Sequence, residues 1–588
     1  MFEVRFLTDI HRPDEDVVLR TADDGWIADH PGIFTDGAWT FALADRPGPF
    51  VFKFVLDGTA WMAGADLVVE PVPGGRYDFT DAAVTFAPQP AVVTENGRVQ
   101  QLLFPPAHDE EHVYDVIVVG SGMGGGLLAD QLADAGADVL VLEAGSLLFP
   151  THVANLPRRL RIGQFDKNVW GLFGDFSVAN YVNAPGSFFG GAQAFNLGGR
   201  SVFWGGLIPR MGAWELVGWP APVAEYLGTT GYRLAEDALN RNGPLGSPFQ
   251  EQTKRRLAEL LPDFDHLDAP VAVQYQGYTP LSVPGGMFST ADLLSEDRLA
   301  VDAGARRPTV NLNHAVQRVL VDGARATGVV CYDLLGRRQR SYRADTVVLC
   351  AGTIESAKIA LQSQLADPAG LIGRGITDHP IMFTHFSLPA GSPSAAAQAS
   401  AKVWSRHRAT SPDNHPYNVV VELGADFNQG RYIDPDNLRR HREAKADATL
   451  GEIVFLFNAP LVETNLVQLD GPPDRPVRVE VQPYPLPAAL LEEVRDLAGT
   501  VLAGLGAEPL AGENLDLATA KLGGVAHEVG TLRMGADGAS VVDADLRFHA
   551  YENLFACDNS VFPSSPAANP TLTLAALSLR LARHLTKG

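Results

Sequence analysis

The chain is short of cysteine, of basic residues and of long apolar runs, and each shortage removes a class of function. Three cysteines, Cys331, Cys350 and Cys557, are spread over 588 residues with no CxxC pair. That excludes a disulfide framework and a cysteine-held zinc site. Cys350, inside the apolar TVVLCAG, reads as a small buried hydrophobe. Lys and Arg number 46 against 69 Asp and Glu, a net charge of −23. Nucleic acid and anionic membranes both need a basic face, so neither is expected as a partner. The acidic residues are dispersed, which serves solubility. The opening MFEVRFLTDIHRPDED is charged throughout and has no apolar core, so it does not read as a signal peptide. No uncharged apolar run has the length of a membrane span. The expectation is a soluble, cytoplasmic protein, with a homo-oligomer left open.

What is present is ample apolar material, 46% of residues, enough for two to four domains. Residues 1–88 carry short β-type runs (FEVRFL, DVVLRT, WTFAL, FVFKFVLDG) between turn signals such as DDG, TDG and PGG. They predict an all-β sandwich. Residues 89–112 are polar and contain proline, and read as a linker. At 113 the character changes. VYDVIVVG is a nearly continuous apolar strand, GSGMGGGLLADQLADAG a glycine-rich turn and small-residue helix, and DVLVLEAG a second strand. Together they form a βαβ unit. A similar strand end, ADTVVLCAG, lies at 344–352, and NPTLTLAALSLRLARHL closes the chain as an apolar helix. Residues 113–210, 305–385 and 520–588 are assigned to this Rossmann-like α/β cofactor domain. The segments 211–304 and 386–519, without a nucleotide signature, are assigned to an inserted substrate domain.

Gly120-x-Gly122-x-x-Gly125 follows the first strand directly. The first glycine allows a tight turn, the second lets backbone approach a pyrophosphate, and the third lets helix and strand pack closely. The helix start then faces the negative charge with free N–H groups. Glu143 ends the second strand, where a carboxylate accepts from ribose hydroxyls and disfavours a 2′-phosphate. A dinucleotide site follows, but FAD and NAD are not distinguished. There is one GxGxxG, whereas a flavoprotein that also uses NAD(P)H usually has a second.

The C-terminal block decides. AHEVGTLRMG, VVD, NLFACDNSVFP and NPTLT (526–573) resemble the C-terminal signature of the glucose–methanol–choline (GMC) flavin oxidoreductases. GGRSVFWGG (198–206) resembles the flavin-contacting segment of that family, nearest to its pyranose oxidase branch. AGTIESAKI (351–359) and GRGITDHP (373–380) resemble two further family stretches. The resemblance covers most of 113–588. It implies FAD, with Ser201, Trp204 and Asp558 near the cofactor and Val316 giving a backbone contact beside the adenine. It implies His527 as the base that takes a hydroxyl proton while hydride passes to flavin N5, and Asn569 as its partner on the substrate hydroxyl.

The residues themselves allow other readings of the same positions. Pro570 suits the first helical position, which would place Asn569 as an N-cap. The helix start around Pro570 and Thr571 could hold the negative charge of a reduced flavin, with Thr571 as donor, since proline has no N–H. His527-Glu528 begins like HExxH, but residue 531 is Thr, so no metal site is expected. The alternatives left for His527 are a general base and a buried structural imidazole; neutral imidazole suits a base near neutral pH. Pyranose oxidases often carry, between this Ser and Trp, a His that binds FAD covalently. Here the stretch is Ser201-Val202-Phe203-Trp204, so noncovalent FAD is expected.

In the N-terminal region, PFVFKFVLDGTAW (49–61) resembles the glycogen-binding modules of branching enzymes and of the AMP-activated kinase β subunit. The resemblance puts Trp26 and Trp61 at sugar-stacking positions and Lys53 at a basic sugar contact. Flat aromatic faces suit sugar C–H surfaces. The competing reading makes both tryptophans core residues of a packing or dimer-forming module, and the following MAGADLVVEPVP departs from the modules' W-x-x-DP. The combined expectation is an FAD-dependent oxidation of a sugar or glycoside hydroxyl, with oxygen or quinone as acceptor. The rivals are oxidation of a sterol or other alcohol, a non-redox flavin lyase, and a non-catalytic glycan-binding protein.

Overall fold

The computed structural model describes residues 1–11, 15–56, 60–86, 100, 103–155, 176, 178, 180–241, 247–273, 286–299, 306–395, 399–424, 448–472, 475–536 and 538–586. Of the expected linker, residues 89–99, 101 and 102 lie outside these.

The apolar run at 113 becomes β1 (Val113–Val119), followed by α1 (Met123–Asp134) and β2 (Val139–Leu142). β2 is buried at every position, as a strand covered on both faces must be. The sheet continues through β3 (Thr309–Asn311), β4 (His314–Asp322), β5 (Arg325–Asp333) and β6 (Arg338–Leu349) in the order β3-β2-β1-β6-β5-β4. The long β6 serves two partners. Its first half closes an antiparallel meander with β5 and β4, and its second half runs parallel to β1. α2 (Thr353–Gln362) follows, then β7 (Leu554–Ala556), parallel to the end of β6, and α3 (Thr571–Leu585). The carboxyl ends of β1, β2 and β6 therefore meet the starts of α1 and α2 at one edge, where open α/β sheets bind ligands.

A second, antiparallel sheet of six strands runs Phe264–Asp268, Ser400–His407, Tyr417–Gly424, Thr449–Phe457, Ile381–Leu388, Ala518–Thr519. Helices Pro248–Leu260 and Ala488–Leu505 cover one face, with Leu257, Val494 and Val501 against Phe386 and Phe455.

Residues 1–86 form two facing sheets around Phe2, Phe6, Phe41, Phe52 and Phe54, as the alternation of the sequence predicts. The tryptophan pair corrects the expectation of an open sugar platform. Trp61 is 1% exposed and Trp26 9%, and they pack edge to face at 6.1 Å. Arg475, from the chain's far half, lies 4.0 Å over the Trp26 ring and 5.3 Å from that of Trp61. It also pairs with Asp66 at 2.6 Å and Asp470 at 3.2 Å. Lys53 is buried, donates to the carbonyls of Met62 and Gly64, and burial lowers its pKa to about 8. The stacking faces are occupied by protein because a guanidinium satisfies the same π surface that a sugar would. Arg475→Ala should loosen this junction by about 2 kcal/mol, the loss of charge-assisted bonds. The check is a lower denaturation midpoint together with proteolytic release of the N-terminal region.

The second half of the expected linker is tied to the cofactor domain. Ala107 accepts from Asn311 and Tyr342, and Gln100 bonds Asn313.

Candidate active site

Where β1 ends, the chain turns under the glycines. Gly120 has φ +97°, and a Cβ there would meet the Cys350 carbonyl oxygen at 2.6 Å. A Cβ on Gly125 would lie 2.0 Å from the carbonyl oxygen of Gly120. Gly122, which begins α1 without a side-chain cap, has nothing within 4 Å. The first and third glycines are thus needed for packing, and the second leaves bare backbone towards a cavity. Glu143 accepts from Ser121 N (3.0 Å), Ser121 Oγ (2.6 Å) and Gly145 N (2.9 Å). The Ala144 N–H also acts on this carboxylate, which therefore holds the turn that lines the cavity. Burial raises the Glu143 pKa, and these donors oppose the shift.

A cavity of about 700 Å³ is lined by this turn, by Val316 on β4, and by His527, Asn569 and Thr571. Ser201 and Trp204 line it while anchoring their own loop: Ser201 Oγ donates to the Gly198 carbonyl at 2.6 Å, and Trp204 Nε1 to that of Phe288 at 2.8 Å. Asp558 also lines it. It accepts from Gly352 N and Ser356 Oγ at the start of α2 and from Ser560 N, so it fixes the β6–α2 corner. Ala60 and Trp61 of the N-terminal region contribute to the wall beside Pro476 and the Lys402–Glu422 ion pair.

His527 is held from both sides in the chain. Ala526 has φ +60°, a conformation that costs a non-glycine residue energy. Thr377 and Val529 exchange backbone bonds, and Thr531 Oγ donates to the Thr353 carbonyl at 2.6 Å. The imidazole then meets His379, from GRGITDHP: His527 Nδ1 and His379 Nε2 are 2.9 Å apart, with the rings at 77°. His379 Nδ1 lies 2.6 Å from the Pro566 carbonyl oxygen. A carbonyl only accepts, so His379 carries its proton on Nδ1 and, when neutral, accepts at Nε2 from His527 Nδ1–H. His527 Nε2 therefore bears the lone pair. It faces Asn569 Nδ2 at 3.5 Å.

The structure corrects the N-cap alternative for Asn569. Pro570 occupies the cap position and α3 begins at Thr571, without a side-chain cap. The Asn569 Oδ1 is buried and has no hydrogen-bond partner. The side chain points its amide to His527 instead of stapling the helix, and the first N–H groups of α3 stay open.

Two features were not assigned from sequence. Glu528 accepts from Arg200 Nη1 at 2.6 Å, and both line the cavity. Asp378 is buried beside this pair and accepts from Gly523 N. Burial first, and then the Glu528 charge, lift its pKa well above the ordinary carboxylate range. Ligand atoms of Asp378, His379 and His527 lie within 4.8 Å of one another. The 2.9 Å contact between the imidazoles uses the nitrogens an ion would need, so bond and ion exclude each other at that point.

The residues fit a flavin dinucleotide: bare glycine backbone, the Glu143 carboxylate at the end of β2, an uncapped helix start, and a buried, unpartnered Asn569 Oδ1 share one cavity.

Models of the GMC oxidoreductase family match residues 295–381 and 486–578. The chain is 26% identical to paromamine 6'-oxidase of Streptomyces fradiae, over 81% of this chain and 93% of that one. It is 26% identical to C-glycoside 3-oxidase of Microbacterium trichothecenolyticum, over 80% and 96%. The crystal structure of pyridoxine 4-oxidase from Mesorbium loti shares the fold, with a TM-score of 0.55 at 20% identity, covering 80% of this chain and 99% of that one.

Proposed function

We propose, from the premise that the chain belongs to the GMC oxidoreductase family, that it oxidises a hydroxyl of a sugar or glycoside to a carbonyl. It is an FAD-dependent oxidoreductase acting on CH–OH groups. The observation that carries the reading is the His379–His527–Asn569 line on the cavity wall, which fixes the His527 imidazole with Nε2, its acceptor nitrogen, beside the Asn569 amide. His527 Nε2 takes the hydroxyl proton, and Asn569 orients the same hydroxyl. Bound FAD supplies the hydride acceptor. Gly120, Gly122, Gly125 and Glu143 would hold its dinucleotide, Val316 its adenine by backbone, and Ser201, Trp204 and Asp558 the portion between. The Thr571 N–H, at an uncapped helix start, is placed to stabilise negative charge.

The sugar class is supported by the relatives named above and by the lining. Arg200, Asn180, Gln193, Glu355, Lys358 and Lys402 put polar groups on the cavity wall, which suits a polyhydroxylated substrate. The test is anaerobic bleaching of the flavin by a panel of sugars, aminoglycosides and aryl C-glycosides, then re-oxidation with air or a quinone. Bleaching by a glycoside and not by simple alcohols or sterols is expected. No bleaching by any alcohol would favour the non-redox lyase.

Phe203 stands where a covalently linking histidine would be, packed against Phe149. The flavin should therefore leave with the supernatant when the protein is precipitated by acid. Yellow colour retained in the washed pellet would refute noncovalent binding.

A further inference from the structure

Where β4 begins, His314 lines both the main cavity and a smaller one of about 260 Å³, which a second group of ligating side chains surrounds. His314 begins β4 and Asp333 ends β5, and the two are cross-strand partners in the antiparallel register. His108 comes from the segment that follows the N-terminal region. It is held in place because its neighbour Ala107 exchanges bonds with Asn311 and accepts from Tyr342. Ligand atoms of His108, His314 and Asp333 lie within 4.8 Å of one another.

The chemistry at His314 is incomplete. Its Nδ1 lies 2.8 Å from the Leu312 carbonyl oxygen, so the ring proton sits on Nδ1 and Nε2 carries a lone pair. That Nε2 is buried without a hydrogen-bond partner, on a residue 2% exposed, and it faces Asp333 Oδ2 at 4.0 Å. Two acceptors facing each other at that separation repel unless a positive centre lies between them. Burial lowers the pKa of both histidines, which favours the neutral form that ligates. Asp333 accepts from Arg340 Nε at 2.7 Å and Gly336 N at 2.7 Å, two of about four acceptor positions. The Arg340 charge is itself shared with Glu110 at 3.5 Å.

We propose that His108, His314 and Asp333 form a binding site for a divalent transition-metal ion of the zinc type. Two imidazoles and one carboxylate suit such an ion and leave positions for water. The Nδ1–H bond of His314 to a carbonyl is the outer contact that usually orients a ligating histidine. Metal–ligand bonds of about 2.1 Å require donors within about 4 Å of one another, so a small inward shift of exposed His108 closes the site. The ion would clamp the corner from which Ala315, Val316 and Gln317 run along the main cavity.

The test uses tag-free holoenzyme, treated with EDTA and then titrated calorimetrically with zinc chloride, with zinc per flavin measured after dialysis. One zinc per chain is expected, weakened at least tenfold by His108→Ala and by His314→Gln, with bound flavin retained as the sign of a folded protein. His108 is exposed, so its variant keeps the test valid if His314→Gln does not fold. Absence of zinc from the native protein, or uptake unchanged in His108→Ala, overturns the proposal. So does zinc lost in His527→Ala but kept in His108→Ala, which would place the ion at the other histidine pair.

Discussion

His527→Ala should lower the anaerobic rate of flavin reduction by about 10²–10⁴, the usual worth of a positioned general base, while flavin stays bound. The loss belongs in the chemical step because the imidazole is paired with His379 and faces Asn569, the residue proposed to orient the reacting hydroxyl. Asn569→Ala should cost less. The double variant should cost little more than His527→Ala alone, since both act on one hydroxyl. Stopped-flow reduction by the best glycoside of the panel reads all three. An unchanged rate in His527→Ala removes the base assignment and returns His527 to a structural imidazole.

Local signals carried much of this site. Gly120, Gly122 and Gly125 were legible because turn, approach and packing are all solved within one βαβ unit, and Glu143 because it ends the next strand. Both ends of the His527–Asn569 pair lie in one short block, 42 residues apart. What was not legible depends on distance in the chain. His379 sits in a stretch whose resemblance was recognised, yet its partner is 148 residues away, and nothing periodic links them. Arg200 and Glu528 meet across 328 residues. The tryptophans failed for a related reason. Strand patterning tells which side chains leave a sheet together, but whether the face is wet depends on what docks there, and Arg475 arrives from 409 residues beyond Asp66. The cap at Asn569 was off by one residue because proline fits the cap position of α3 as well as its first turn.

His379→Leu should slow flavin reduction by about 10² or more without touching the reacting atoms, the cost of letting a catalytic imidazole choose the wrong tautomer. His379 is a positioning residue. Its Nδ1 proton is committed to the Pro566 carbonyl, so neutral His379 accepts at Nε2, which favours the His527 proton on Nδ1. Leucine preserves much of the volume at a site 3% exposed but removes the acceptor. His527 could then carry its proton on Nε2, where it faces the Asn569 amide as a second donor and has no lone pair for the hydroxyl. His379→Gln separates this from simple packing. An amide oxygen can accept from His527 Nδ1–H, and its NH₂ can donate to Pro566, so activity should return in part. The decrease should appear in the limiting reduction rate, with the substrate concentration at half-saturation little changed. Equal rates in the leucine and glutamine variants, or a loss seen only as weaker substrate binding, would mean that His379 merely fills space beneath His527.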